Sequence, residues 1–413
     1  MKFIASVSVL AFTTFVGFTL QPGTTFANDD TTSLVEAFKQ GTVKGQLKSY
    51  YYAQTFDGDG LNDSQIWVNG GILTYKTAGF YGFRLGGTFQ ASVVGHKNDD
   101  DGKTAGSMDA DGAVLSEAYL SYTFLNTKFD GGRQFVSTPL VAGSGSRLIK
   151  ESFEAYLLSN EDIPDTVLTA GWIRKYQTRT DKSSYGDNWF VDYDQNGSGD
   201  PGDFYDVGDD GMLIFYARNS SVKNLQVQAQ YGNVLDQVAG FYADAKYTID
   251  VQFKPYVAGQ IYYTDYDDST KDSNSLYGFK GGVNIADFEI FAAFTSAAGD
   301  EGEARVFRGL GQGAYYNYTS TTKTAGAPAF EAGTDSYQIG GSYKFEKLAT
   351  MLRYTVFDNP ADNQDLDEYT LNASYALSGW AEGFGIAVDF SILDYENNQK
   401  DATDLRTRLT YTF

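Results

Sequence analysis

The chain has 413 residues, no cysteine, one histidine and a formal net charge of −22. Without a thiol there is no disulfide framework, no thiolate chemistry and no cysteine for lipid attachment, and the acidic balance disfavours nucleic acid as a partner. Tyr 31, Phe 30 and Trp 4 stand against only 7 Pro, a composition suited to many uninterrupted strands rimmed by aromatic side chains.

At the amino terminus, Lys2 precedes an apolar run from Phe3 to Leu20 and then Thr25-Phe26-Ala27, the pattern of a signal peptide over 1–27 cleaved after Ala27. Beyond it no apolar stretch of about 18 residues recurs, which excludes spanning by helices. Residues 28–40 hold a short amphipathic stretch, Ser33-Leu-Val-Glu-Ala-Phe-Lys39, read as a lead-in to the first strand.

From there a two-residue period takes over. Lys44, Gln46 and Lys48 alternate with Val43, Gly45 and Leu47, and Gln226, Gln228 and Gln230 alternate with Leu225, Val227, Ala229 and Tyr231, as residues on opposite faces of a strand do. This period marks strands over 42–54, 65–77, 80–95, 114–126, 128–136, 151–162, 166–177, 211–219, 224–234, 238–249, 251–264, 276–285, 287–297, 335–345, 348–357, 367–378, 384–395 and 404–413. Each is near the ~9–11 residues that cross a bilayer at a tilt. The last strand sets Leu405, Leu409, Tyr411 and Phe413 against Arg406, Arg408, Thr410 and Thr412. One face apolar, the other charged and the chain ending on an aromatic residue are the marks of an outer-membrane barrel. A soluble all-β propeller shares the composition but not that ending. The fold class expected is therefore all-β, a transmembrane antiparallel β-barrel of about 18 strands filling 28–413. Connections alternate between short ones, such as 125–127, and long ones, such as 97–113, 178–210 and 298–334, which places the tight turns in the periplasm and the long loops outside.

The segment Gly132-Arg-Gln-Phe-Val-Ser-Thr-Pro-Leu-Val-Ala-Gly-Ser-Gly-Ser-Arg147-Leu-Ile-Lys-Glu-Ser-Phe153 resembles the third-loop signature of the OprD family of outer-membrane porins, and the likeness continues to Gly171. A weaker echo lies at Val306-Phe-Arg-Gly-Leu-Gly-Gln-Gly-Ala-Tyr315, similar to that family's glycine-rich seventh loop. The resemblance implies a barrel of eighteen strands whose third loop, about 135–150, folds inward and with the seventh narrows the pore. It also implies a basic track that guides small carboxylate-bearing solutes, amino acids or peptides by passive diffusion. The acidic stretch 178–210 has no counterpart in that pattern.

Periodicity points Lys44, Lys48, Arg84, Lys246, Lys254, Lys280, Lys344, Arg353, Arg406 and Arg408 toward the lumen, since a basic side chain facing mid-bilayer lipid would cost about 2–4 kcal/mol. Arg133, Arg147 and Lys150 fall at or in the expected constriction. Positive charge along a pore offers anions weak, successive partners, and arginine can hold a carboxylate bidentately. The alternative reading of each is an ion pair that braces the wall, with Asp244, Glu289, Glu368 or Asp389 as partner.

Acidic runs in the long loops read as solvated faces. One is sharper: Asp192, Asp194, Asn196, Gly197 and Asp200 reproduce the spacing of a calcium loop, but Asp203 stands where a bidentate Glu is expected. Either a calcium ion or a solvated turn satisfies this spacing; no cofactor is required. Catalysis has little to draw on, because His96 is the only histidine and no Ser-His or Cys-His pair arises. The expectation is a channel rather than an enzyme. Its expected partners are outer-membrane lipid and lipopolysaccharide, small solutes, the barrel-assembly machinery through the last strand, and two further copies in a trimer. A barrel protease or lipase, or a surface adhesin, are the readings from other classes.

Overall fold

A computed structural model describes residues 30–58, 62–98, 109, 111–179, 190–192, 202–321, 327–361, 364–396 and 401–413. The expected signal peptide lies outside them.

Among the described residues eighteen long strands form the wall: β1 Thr42–Phe56, β2 Ser64–Lys76, β3 Phe83–Lys97, β4 Gly112–Phe124, β5 Thr127–Gln134 and β6 Ser152–Asn160. Next come β7 Thr166–Gln177, β8 Met212–Asn219, β9 Leu225–Val234, β10 Val238–Thr248, β11 Tyr256–Tyr266 and β12 Asn274–Ile285. The circuit is completed by β13 Phe288–Ala297, β14 Asp335–Phe345, β15 Leu348–Asp358, β16 Leu366–Ala376, β17 Phe384–Tyr395 and β18 Ala402–Thr412. Each pairs antiparallel with the next, and β1 pairs with β18 from Gln46↔Thr412 to Phe56↔Ala402. Closure leaves the wall no open edge, the condition for a sheet to stand in lipid.

The alternation seen in the sequence is the alternation of the wall. On β1, Lys48, Tyr50, Tyr52 and Gln54 are buried inside while Leu47 and Tyr51 are exposed outside. Leu73, Phe89, Phe279, Ile339 and Leu352 are large, apolar and exposed, as a lipid-facing belt requires. Toward the short turns aromatic rings pair across strands, Phe83 with Tyr122 at 4.5 Å and Phe384 with Tyr411 at 4.6 Å, forming an interfacial girdle.

One strand begins later than its pattern suggests. Residues 251–254 belong to the turn before β11, where the Lys254 N–H donates to the Val251 carbonyl at 2.9 Å and Lys254 has φ +36. Val-Gln-Phe-Lys imitates a strand because apolar and polar residues happen to alternate there, but a positive φ is incompatible with strand backbone.

A barrel this wide cannot be filled by wall side chains alone, and here loops fill it. The third loop (135–151), parts of the fourth (178–211) and the seventh (298–334) turn inward. Val141–Ala142 pairs with both Ser137–Thr138 and Leu310–Gly311, so loops three and seven share a small sheet inside the barrel. Around it lies an apolar core of Leu140, Phe153, Tyr176, Phe190, Val207, Tyr242, Tyr262, Phe307, Tyr315 and Phe330. Fully burying each large apolar side chain stabilises by roughly 1.5–3 kcal/mol. The approach is close: Gly309 has φ +95, and a Cβ there would lie 2.3 Å from the Leu140 carbonyl oxygen. Phe190, Val191, Tyr205 and Val207 bring the fourth loop into this plug, although its sequence reads as an acidic stretch.

Candidate functional site

Loop three crosses the lumen between two supports. Near its start, Leu140 packs in the apolar core, and its N–H donates to Gln230 Oε1 at 2.7 Å. Farther on, Leu148 packs with Tyr50, Tyr52, Ile66 and Val68 of β1 and β2. There the Leu148 carbonyl accepts a hydrogen bond from Lys48 Nζ at 3.0 Å, and Gln90 of β3 both accepts from the Lys150 N–H and donates to the Lys150 carbonyl, each at 2.9 Å.

Charge concentrates on this second support. Arg147 and Arg179 both donate to Ser146 Oγ, at 3.1 and 2.9 Å. Arg179 Nε also lies 2.9 Å from a carboxylate oxygen of Glu151, whose other oxygen accepts the Ser144 N–H at 2.7 Å. Lys150 Nζ stands 4.2 Å from the Phe135 ring centroid. Burial pulls the Lys150 ammonium below the usual lysine range, and the carboxylates of Glu117 and Glu151 oppose the shift. Lys48, Arg147, Lys150 and Arg179 gather at this support, where Glu151 pairs with Arg179 and the carboxylates of Glu117 and Glu151 act on Lys150. Basic side chains gathered and largely desolvated in this way suit a small anion beside them.

The wall arginines are arranged differently. Arg353 donates to the Tyr318 carbonyl and to Asn372 Oδ1, each at 2.7 Å, and to Ser320 Oγ. Asn372 in turn donates to Asp389 Oδ1 at 2.7 Å. Arg408 pairs with Asp389, and Arg406 Nε lies 3.8 Å from both Asp389 and Asp404. Glu368 is buried two strands from Asp404, accepting from Thr370 at 2.9 Å. Three guanidiniums therefore share an interior with three carboxylates, the bracing arrangement that buried charge demands.

The remaining sequence candidates scatter. Lys280 Nζ sits 3.9 Å from the Phe291 ring centroid and Lys246 Nζ 4.2 Å from that of Tyr256, both on the lumenal parity of their strands. Lys44 and Lys344 are exposed near the periplasmic mouth, and Arg84 is half-buried beside Gly79. Closure of β1 on β18 would set Lys44 and Lys48 beside Arg406 and Arg408 if the strands paired end to end; in the observed register Lys44 lies past the end of β18, and Arg406 and Arg408 pair with Tyr52 and Tyr50. Lys254 is exposed in its turn and leaves the lumenal set. Arg133 stands opposite Ala118 and Glu154, on the parity of exposed Phe129, with its guanidinium 4.1 Å from the Phe204 ring centroid. That ring packs against Ile149 of loop three and Val114 of β4, so the guanidinium ends beside the base of loop three. Of the calcium-loop residues, Asp194, Asn196 and Asp200 lie outside the described residues; Asp192 and Asp203 are described, and no group of three or more potential metal ligands occurs among the described residues.

Among the described residues, lumenal cations that escaped the sequence reading include Arg218, buried on the parity of Ile214 and Tyr216 of β8, Arg179 and Lys76. Arg179 follows β7 by two residues, inside a loop with no period to read. Lys76, with its Nζ 5.8 Å from the Tyr119 ring centroid, is on the same parity of β2 as Ile72 and Thr74, and extending the alternation to the end of that strand would have found it.

A closed barrel with an inward plug and a basic gap beside it defines an outer-membrane channel whose bore is set by loops. The model of the outer membrane porin, OprD family, matches residues 38–412, and the chain belongs to that family, in the outer membrane of a Gram-negative bacterium. Three solved Pseudomonas aeruginosa structures are similar in fold. OccK9 (OpdG) is 16% identical with a TM-score of 0.76, covering 91% of this chain and 99% of its own. OpdO is 17% identical with a TM-score of 0.72, covering 92% and 98%. OpdK solved with vanillate is 15% identical with a TM-score of 0.71, covering 91% and 99%. No curated protein matches the chain by sequence.

Proposed function

We propose that this porin passes small carboxylate-bearing solutes in preference to cations, and that selection is made at the second support of loop three. The observation that carries the reading is the convergence of Arg147 and Arg179 on one hydroxyl, Ser146 Oγ, beside Lys48 and Lys150. Two guanidiniums that close create a field a passing carboxylate lowers, while Glu151 keeps the pair from collapsing the loop. A similar fold solved with vanillate, an aromatic carboxylate, is consistent with this class. Lys280 and Lys246 extend the positive lining beneath the plug; Lys44, Lys344 and Arg84 belong to its mouth. Planar-bilayer recording across a salt gradient tests the proposal. Arg147→Gln and Lys150→Gln each shift the reversal potential toward cation permeation by a few-fold in permeability ratio, and an unshifted potential in both removes it.

Members of this family are channels, and the chain is read as having no catalytic activity. His96 is exposed at the end of β3 opposite Trp67, where it supports neither a protease nor a lipase. Handling of the last strand by the barrel-assembly machinery is supported by Phe413, whose ring lies over Gly45 on the outer face. Trimer formation and calcium in 192–203 are further readings, supported respectively by the apolar outer wall and by ligand spacing.

A further inference from the structure

We infer that residues 33–40 form an interfacial foot that inserts into the periplasmic leaflet of the outer membrane, with the acyl–headgroup boundary of phospholipid as its partner.

The segment is clamped to the barrel at the turn between β2 and β3. Asp30–Thr31 pairs in parallel with Gly79–Phe80 in the turn between β2 and β3, and Asp30 Oδ2 accepts the Gly82 N–H at 2.7 Å. The helix Leu34–Lys39 follows. Its Ala37 is buried and accepts the Ala78 N–H on its carbonyl at 3.0 Å. The Phe38 carbonyl accepts from the Tyr75 hydroxyl, and the two rings stack at 6.5 Å between centroids.

What this clamp leaves uncovered is apolar. Leu34, Val35 and Phe38 are 53%, 61% and 45% exposed, and at 100° per residue they fall on one arc of the helix. Glu36 and Lys39 occupy the other arc and pair with each other at 3.2 Å. A six-residue helix cannot hold itself together in water, so its pose is set by the barrel. That pose is continuous with the lipid belt: Tyr75 has the outward parity of exposed Leu73 on β2, and exposed Tyr81 and Phe83 flank it. An amphipathic arc on an already lipid-facing surface, at the girdle level, is fitted to the bilayer interface.

The cysteine-free chain makes the test direct, because one introduced thiol carries one label. Val35→Cys and, independently, Leu34→Cys are labelled with an environment-sensitive fluorophore and reconstituted in phosphatidylethanolamine–phosphatidylglycerol vesicles; Lys39→Cys is the control. Folding of each is verified by its heat-dependent electrophoretic shift. The inference expects spin-labelled lipid bearing the nitroxide high on the chain to quench labels at 34 and 35 several-fold more than the label at 39, with aqueous iodide showing the reverse order. Equal iodide quenching at all three positions overturns it. So does shielding that rises with protein-to-lipid ratio, which would make a second copy the occupant.

Discussion

Loop three rests on two supports built from different materials. At Leu140 the support is apolar and completely buried, shared with Phe307 of loop seven and facing Gly232 and Gly240 of β9 and β10. At Leu148–Lys150 it is a set of hydrogen bonds from Lys48 and Gln90, surrounded by cations. The apolar end tolerates no charge and supplies position; the polar end accepts weaker anchorage and keeps charge beside the passage. A pore whose selectivity could change without loss of its plug needs this separation, since altering one end leaves the other intact.

The separation can be broken at its stronger end first. Leu140→Ala removes a side chain with 0% exposure and should cost about 3–5 kcal/mol. A lowered denaturation midpoint together with larger, noisier single-channel conductance is expected; unchanged conductance would mean that Leu140 does not hold the plug. At the weaker end, pH sharpens the contrast. The Lys150 ammonium is charged below its pKa, and burial holds that pKa below the ordinary lysine range, so anion preference should decline as alkaline pH is approached, before an ordinary lysine discharges. Lys150→Arg, which stays charged, should flatten this decline in reversal-potential measurements. If both proteins give the same profile, another group controls it. The smallest effects belong to the mouth: Lys44→Gln and Lys344→Gln should shift the reversal potential little at physiological salt, where the screening length is about 8 Å. A shift as large as that of Arg147→Gln would relocate the selective region to the periplasmic rim.

The wall was nearly all readable in the sequence, because lipid outside and water inside impose one two-residue rule on every strand. The rule failed at 251–254, where alternation continues into a turn, and it could not say what an inward arginine does once there. Arg353, Arg406 and Arg408 point where periodicity sends them, yet Asp389 and Asp404 arrive from neighbouring register, which no single strand reveals. The family resemblance gave loops three and seven their inward course. Nothing periodic marked loop four: Trp189-Phe190-Val191 is one short apolar run and Val207 lies between Asp206 and Gly208, and only the packed interior shows that Phe190, Val191 and Val207 share one core. Arg133 was named from a motif, and the ring of Phe204 that its guanidinium covers, itself packed on Ile149, comes from loop four, which no strand period reaches.

The β1–β18 seam has a consequence for how a complete molecule is told from an incomplete one. Tyr52 donates to Asp404 Oδ2 at 3.0 Å and Gln46 to Thr412 Oγ1 at 3.1 Å across it, so the first strand made waits for the last. A product truncated before Ala402 would carry two bare edges, an invitation to the wrong neighbour. Ring completion is therefore what separates a sheet with no open edge from one with two.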